Sequence, residues 1–513
     1  MNTRHNTRRK IFAAIGTLVT AGLLLGSGAL AQADTDKSQP VPEQSSVVIN
    51  KRTAPTTSNN ATGEKIADDD VPGAAIEGVT FAAYLVPDTQ KGGTNDIGTN
   101  AGQQYAAGLD LSAATGLIPA AATGEFPATG IDGITQMTLP RGLYVVKEKS
   151  APAGVTPSAP FLLSVPLTNP TDLNKWLDPI YIYPKNSVVT VSKTADDAAA
   201  RSVGDTSGTP RDGVSWTVQG DIPKDESITK YVIGDPLDSR LTLKGSLADS
   251  ATVSLIGQDG TPLAGVTLTR DTDYTVTDNV TVTFTEAGRA KLVAAWKADA
   301  AAKVQLVIDT RVNATAAGAA NTAAGTITNT ATLTVNDATP VTDTASVKIG
   351  DIKIEKVSTA SADTKLAGAA FQVFASAADA KSLTNPINVN GVTEWTTGEN
   401  GQVTIPGLFF SNFVNGKDVA DTTRTYWLAE TKAPDGYQLM AEPIEAKVTA
   451  AGADVAVTQI ANVPNTGGFV LPLTGGTGTI LLTVVGLAIL ALVVFVARRR
   501  RAAEAAVEAT STK

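Results

Sequence analysis

The sequence predicts an all-β chain, three strand-rich domains in tandem between two basic ends. Three observations carry that expectation. The first is composition. The 513 residues suffice for three or four domains of ordinary size, and only 5% are aromatic, while Ala, Thr, Val and Gly abound. That balance favours many short β-branched strands over a helical bundle. The second is pattern. A polar, Pro-containing segment runs to about Ser46. Short apolar-polar alternations separated by turn residues then continue to about Val463. Helical periodicity is confined to short pieces such as 286–302. The third is repetition. "VVINKRT" (47–53) matches "IKIEKVS" (352–358), and "GVTFAAYLV" (78–86) matches "GAAFQVFAS" (368–376). "YVVKEKSAPAGV" (144–155) matches "YWLAETKAPDGY" (426–437) without a gap. The same words in the same order indicate two copies of one fold. The stretch between them, 187–347, has different words and reads as a third all-β unit.

Composition also excludes whole classes of chemistry. There is no cysteine, so a chain of this size gains no stability from disulfides. The single histidine is His5. Beyond it no Ser-His-Asp triad, Cys-His pair or His/Cys metal site can be built, and no metal or cofactor is expected. The formal charge is −9, with several of the cations at the two ends, so the middle is more acidic than the whole. An acidic middle is repelled by nucleic acid, which is not an expected partner.

The ends read as processing signals. Arg8, Arg9 and Lys10 precede an apolar stretch from Ile11 to Leu25, and Ala31-Gln32-Ala33 fits small-x-small cleavage. Residues 1–33 are thus expected to be a signal peptide. At the other end, Leu471-Pro472-Leu473-Thr474-Gly475 is followed by an apolar stretch, Ile480 to Ala497, and then by Arg498 to Arg501. The stretch is long enough for a transient membrane span, with the arginines on the cytoplasmic side.

Strand parity singles out a recurring trio. Alternate residues of a strand share a face. Val47, Ile49 and Lys51 do so, as do Val189, Val191 and Lys193, and Ile352, Ile354 and Lys356. In each first strand a lysine stands where the next core residue belongs. Acids repeat the pattern: Glu148 follows Tyr144 and Val146, Asp235 follows Tyr231 and Ile233, and Glu430 follows Tyr426 and Leu428. In the presumed last strands, Asn329 shares a face with Ile327, Ala331 and Leu333, and Asn462 with Ile460. Burial strips the proton from a lysine and keeps one on a carboxyl, moving such pKa values by about 3–5 units. A neutral amine held beside an amide polarised by a protonated acid is a nucleophile facing an electrophile. The product is a Lys–Asn side-chain amide, with ammonia leaving.

These words and trios resemble the CnaA- and CnaB-type immunoglobulin-like domains of Gram-positive surface proteins, which form intramolecular isopeptide bonds. The resemblance implies three β-sandwiches: CnaB-like at 34–186, CnaA-like at 187–347, and CnaB at 348–465 with "YWLAETKAPDGY" as its E-box. It implies bonds Lys193–Asn329 with Asp235 as the acid, and Lys356–Asn462 with Glu430. Lys51, Glu148 and Asn186 are carried over to the first domain. "WLDPIYIYPKN" (176–186) resembles the pilin motif of sortase-polymerised backbone pilins, which makes Lys185 the nucleophile that attacks the next subunit. Ile180, Ile182 and Asn186 share one strand face, and Tyr181, Tyr183 and Lys185 the other, so Lys185 is expected to point outward with both tyrosines. The segment 466–513 is similar to the sorting signal of sortase substrates, cut between Thr474 and Gly475. The chain is thereby expected to be the shaft subunit of a cell-wall-anchored pilus that supports adhesion, and not an enzyme. Its implied partners are a class C sortase for polymerisation, a housekeeping sortase for anchoring, identical subunits, accessory pilins, peptidoglycan and an unidentified host receptor. A non-polymerised wall-anchored adhesin or a pilus base subunit would share most of these features without needing Lys185.

Overall fold

The computed structural model describes residues 40–54, 62–207, 211–313, 325–420, 423–465 and 486–499. The leader, with its expected cleavage site, and the 471–475 motif lie outside them.

The first unit packs two sheets face to face. Strand Gln44–Asn50 is central in one, antiparallel to Ile134–Pro140 and parallel to Ile180–Ile182. The order of the other is Gly124–Glu125, Thr80–Leu85, Gly142–Ser150, Phe161–Val165. Val47 and Ile49 from the first sheet meet Phe81, Tyr144 and Val146 from the second in one apolar core, as alternation dictates. The ordered strand begins at Gln44, two residues before the expected end of the polar lead-in, and Ser45 is already buried. Two helices, Asn100–Gly108 and Leu111–Leu117, cross one connection. Thr99 and Asp110 cap their N-termini, each accepting a backbone N–H.

In the second unit, Val191–Asp196 pairs with Gly213–Asp221, which pairs with Lys303–Val312. The facing sheet runs Tyr274–Thr277, Thr281–Phe284, Tyr231–Gly234, Gly325–Val335, Val341–Ser358. The helix expected over 286–302 spans Glu286–Ala298, capped by Thr285. It stops short because Asp299 leaves helical geometry to feed the strand that starts at Lys303.

The second and third units are not separated by a linker. Strand Val341–Ser358 is 18 residues long. Its first half pairs with Gly325–Val335, and its second half with Gln402–Phe409 and, in parallel, with Val457–Asn462. The strand continues through the expected boundary at 347/348, with only a slip of register at Gly350-Asp351, three residues on, to mark the passage from one unit to the next. One apolar core runs through both units, from Val189 to Ile460. A second tie comes from residues 197–205, which leave the second unit and embed in the third. Asp197 and Arg424 form a buried ion pair at 3.3 Å, Arg424 also donates to the Phe410 and Asp197 carbonyls, and Ser202 donates to the carbonyl of Asn388.

Residues 486–499 are helical and exposed. No helix among the described residues is long and apolar enough to cross a membrane.

Candidate functional site: three buried lysine, acid and asparagine clusters

Each unit brings one lysine, in or just past its first strand, against one acid and one asparagine. In the first, Lys51 sits just past the end of Gln44–Asn50 with no exposed surface. Its Nζ is 2.9 Å from Glu148 Oε2, donates to Ser158 Oγ at 3.3 Å and contacts Asn186 Oδ1. The Asn186 amide donates to Glu148 Oε1 at 2.7 Å. Burial pushes the Lys51 ammonium down to about 8, against the opposing pull of Glu148.

The second unit pairs Lys193 with Asp235, both side chains wholly enclosed. Burial lowers the lysine and raises the acid, and the attraction between them opposes both shifts. Asn329 approaches Asp235 closely enough to pull its carboxyl back somewhat, yet neither amide atom makes a hydrogen bond of good geometry. An amide left this way in a dry interior is costly.

In the third unit Lys356 Nζ lies 3.1 Å from Glu430 Oε1. The Asn462 amide donates to both Glu430 oxygens at 2.9 Å, while its own Oδ1 has no partner. Lys356 and Asn462 both reach Glu430 from neighbouring parallel strands, with Lys356 level with Ile460 and Ser358 level with Asn462. Burial lowers Lys356 as well.

Each lysine also lies over an aromatic ring that parity alone did not reveal. Nζ to centroid distances are 5.6 Å for Lys51 and Phe81, 5.3 Å for Lys193 and Trp216, and 5.4 Å for Lys356 and Phe371. A signal existed: Phe81 and Phe371 hold the same place in "GVTF" and "GAAF", and each is the cross-strand partner of its acid, Glu148 or Glu430.

Lys185 differs from these three. It lies in the two-residue strand Lys185–Asn186, paired in parallel with Arg52–Thr53, and is half-exposed. Partial burial lowers its amine. The expected outward face does not hold for its neighbour. Tyr183 is buried, and its hydroxyl accepts the Ile66 N–H at 2.8 Å. The reason is Pro184: the strand ends at Ile182 and restarts at Lys185, so alternation does not carry across. Thr474 lies outside the described residues.

Comparison with known proteins defines the class. Residues 42–187 match the model of the Gram-positive pilin subunit D1, N-terminal domain. Residues 350–462 match a prealbumin-like fold domain, and 463–504 the LPXTG cell wall anchor motif. Sandwich domains followed by that anchor define a cell-wall-anchored pilus component. The chain is 30% identical to fimbrial subunit type 1 of Actinomyces viscosus, over 97% of its own length and 98% of the relative's. It is 32% identical to fimbrial subunit type 2 of Actinomyces naeslundii, over 95% of each. The major pilin SpaD of Corynebacterium diphtheriae, 27% identical, superposes with a TM-score of 0.59 over 83% of this chain and 98% of SpaD. The chain belongs to the Gram-positive fimbrial subunits and is a pilus shaft subunit carrying a sortase sorting signal.

Proposed function

We propose that copies of this shaft subunit are joined by an amide between Lys185 of one and Thr474 of the next, and that each copy is locked by Lys193–Asn329, Lys356–Asn462 and Lys51–Asn186 amides. The observation that carries the internal bonds is the recurrence of one arrangement: an enclosed lysine at contact distance from an enclosed acid, with an asparagine beside it, in all three units. In each, the neutral amine attacks the asparagine Cγ, the acid carries a proton to the departing nitrogen, and ammonia leaves. Atoms balance without any cofactor, and the protein performs no turnover.

Domains are taken as 34–186, 187–347 and 348–465, with 1–33 a leader and 466–513 the sorting region. A class C sortase cuts between Thr474 and Gly475 and passes the acyl group to Lys185. Accessory pilins join by the same chemistry, and a housekeeping sortase attaches the finished polymer to peptidoglycan. Tension then enters each subunit at Lys185 and leaves at Thr474. It crosses the second and third domains, where Lys193–Asn329 and Lys356–Asn462 shunt it past most of each interior. The Asn329 amide, buried without a good partner, is the group such a bond would consume.

Peptide mapping of surface polymers by mass spectrometry tests the reading. Branched peptides joining 185 to 474, 193 to 329 and 356 to 462, the internal ones each lighter by one ammonia, are expected. Linear peptides throughout would sink it.

A further inference from the structure

Ten residues beyond each glutamate, the first and third domains differ at one matched position. Glu148 is followed at that spacing by Ser158, and Glu430 by Met440. Both residues donate a backbone N–H to their acid's Oε2, at 2.9 Å in each case. Ser158 adds a second donor: its hydroxyl reaches the same oxygen at 2.8 Å. Its Oγ also accepts from Lys51 Nζ at 3.3 Å. Met440 adds only a thioether, 3.4 Å from Lys356 Nζ.

These differences act on both partners of the reaction. An ammonium has three N–H donors. Lys51 finds three oxygens for them, on Glu148, Ser158 and Asn186. Lys356 finds a carboxylate oxygen and a weakly accepting sulfur. Glu148 Oε2 receives the lysine, the Ser158 N–H and the Ser158 hydroxyl at once, which leaves no room on that oxygen for a proton of its own. Hydrogen bonds donated to a carboxyl favour its charged form. Glu430 receives the lysine, the Met440 N–H and one Asn462 amide shared between its two oxygens. Glu148 receives the lysine, the Asn186 amide, the Ser158 N–H and the Ser158 hydroxyl, one donor group more. The crosslinking step needs the opposite pair, a neutral amine and a protonated acid.

We propose that the residue ten places after the acid is a positioning residue that sets crosslinking speed: Ser158 holds the Lys51–Glu148 pair in its unreactive charged state, and Met440 leaves Lys356–Glu430 free to react. This rests on the crosslinking reading above, and it makes the first-domain bond the slow one.

The test is a pulse-chase of the full chain, with the Lys51–Asn186 and Lys356–Asn462 peptides quantified by mass spectrometry over time. Ser158→Met is expected to shorten the first-domain half-time about tenfold, equivalent to about 1.4 kcal/mol. Met440→Ser is expected to lengthen the third-domain half-time similarly. Ser158→Ala, which keeps the backbone donor and the fold, is expected to move in the same direction as Ser158→Met. It should also shift the alkaline limit of the crosslinking rate upward, which a packing defect would not do. Half-times unchanged or slowed in both Ser158 variants, with crosslinks present, overturn the proposal and spare the reading beneath it. No crosslinked peptide from any domain overturns both.

Discussion

Asn462→Ala removes the electrophile of the third domain while keeping the Lys356–Glu430 pair. The bond it prevents would close a loop of roughly 105 residues, for which chain entropy alone gives about 4.8 kcal/mol by analogy with a disulfide. The second and third units share a strand and one apolar core, so they are expected to unfold together. For a cooperative unit of that size, each kcal/mol moves Tm by about 2–4 °C, which gives a drop of about 10–20 °C. Scanning calorimetry of the full chain measures this, with intact mass on the same samples confirming that the variant loses one ammonia fewer than the parent. A Tm within a degree or two of the parent would refute the reasoning: at equal mass loss no bond forms at 462, and at unequal mass loss the bond constrains nothing. A fall well beyond 20 °C would show instead that the third unit melts alone.

Lys185→Ala should abolish the high-molecular-weight ladder on gels while leaving the internal branched peptides intact; a persistent ladder would place the acceptor lysine elsewhere. Arg424→Ala leaves Asp197 enclosed without its cation and should cost about 3–5 kcal/mol, read as a lower urea midpoint. Gly154 has φ +77, and an added Cβ would lie 2.4 Å from the Val189 carbonyl oxygen, so Gly154→Ala should loosen the first unit from the second, seen as faster proteolysis between 186 and 191. In Asn186→Ala, where the first-domain bond cannot form, burial still holds the folded Lys51 amine, about 8 in the parent, below the 10.5 of the unfolded chain. Between those values the unfolded chain binds the extra proton. First-domain stability should therefore rise with pH, by up to about 1.4 kcal/mol per unit, in chemical denaturation from pH 8 to 10.

Much of this was legible in the sequence because strands have a period of two. Lys51, Lys193 and Lys356 each stand in series with core residues, and a lysine there either breaks a strand or meets a partner. The acids Glu148 and Glu430 were legible for another reason, as members of a repeated word. What stayed hidden depends on contacts between distant segments. Arg424 looks like a surface loop residue until residues 197–205 fold over it. Tyr183 follows parity on paper, but Pro184 resets the count. The helices at 100–117 are Ala- and Gly-rich with little apolar periodicity, and only their caps, Thr99 and Asp110, marked them. Ser158 and Met440 lie past the end of the repeated word, so their spacing from the acid gained meaning only when both backbones were seen to reach it.

The strand Val341–Ser358 serves two sandwiches, and the buried Asp197–Arg424 pair rivets them a second time. Such a joint has no loop at which to bend. In a fibre, the second and third domains therefore behave as one stiff rod, and curvature must be taken up where one rod meets the next.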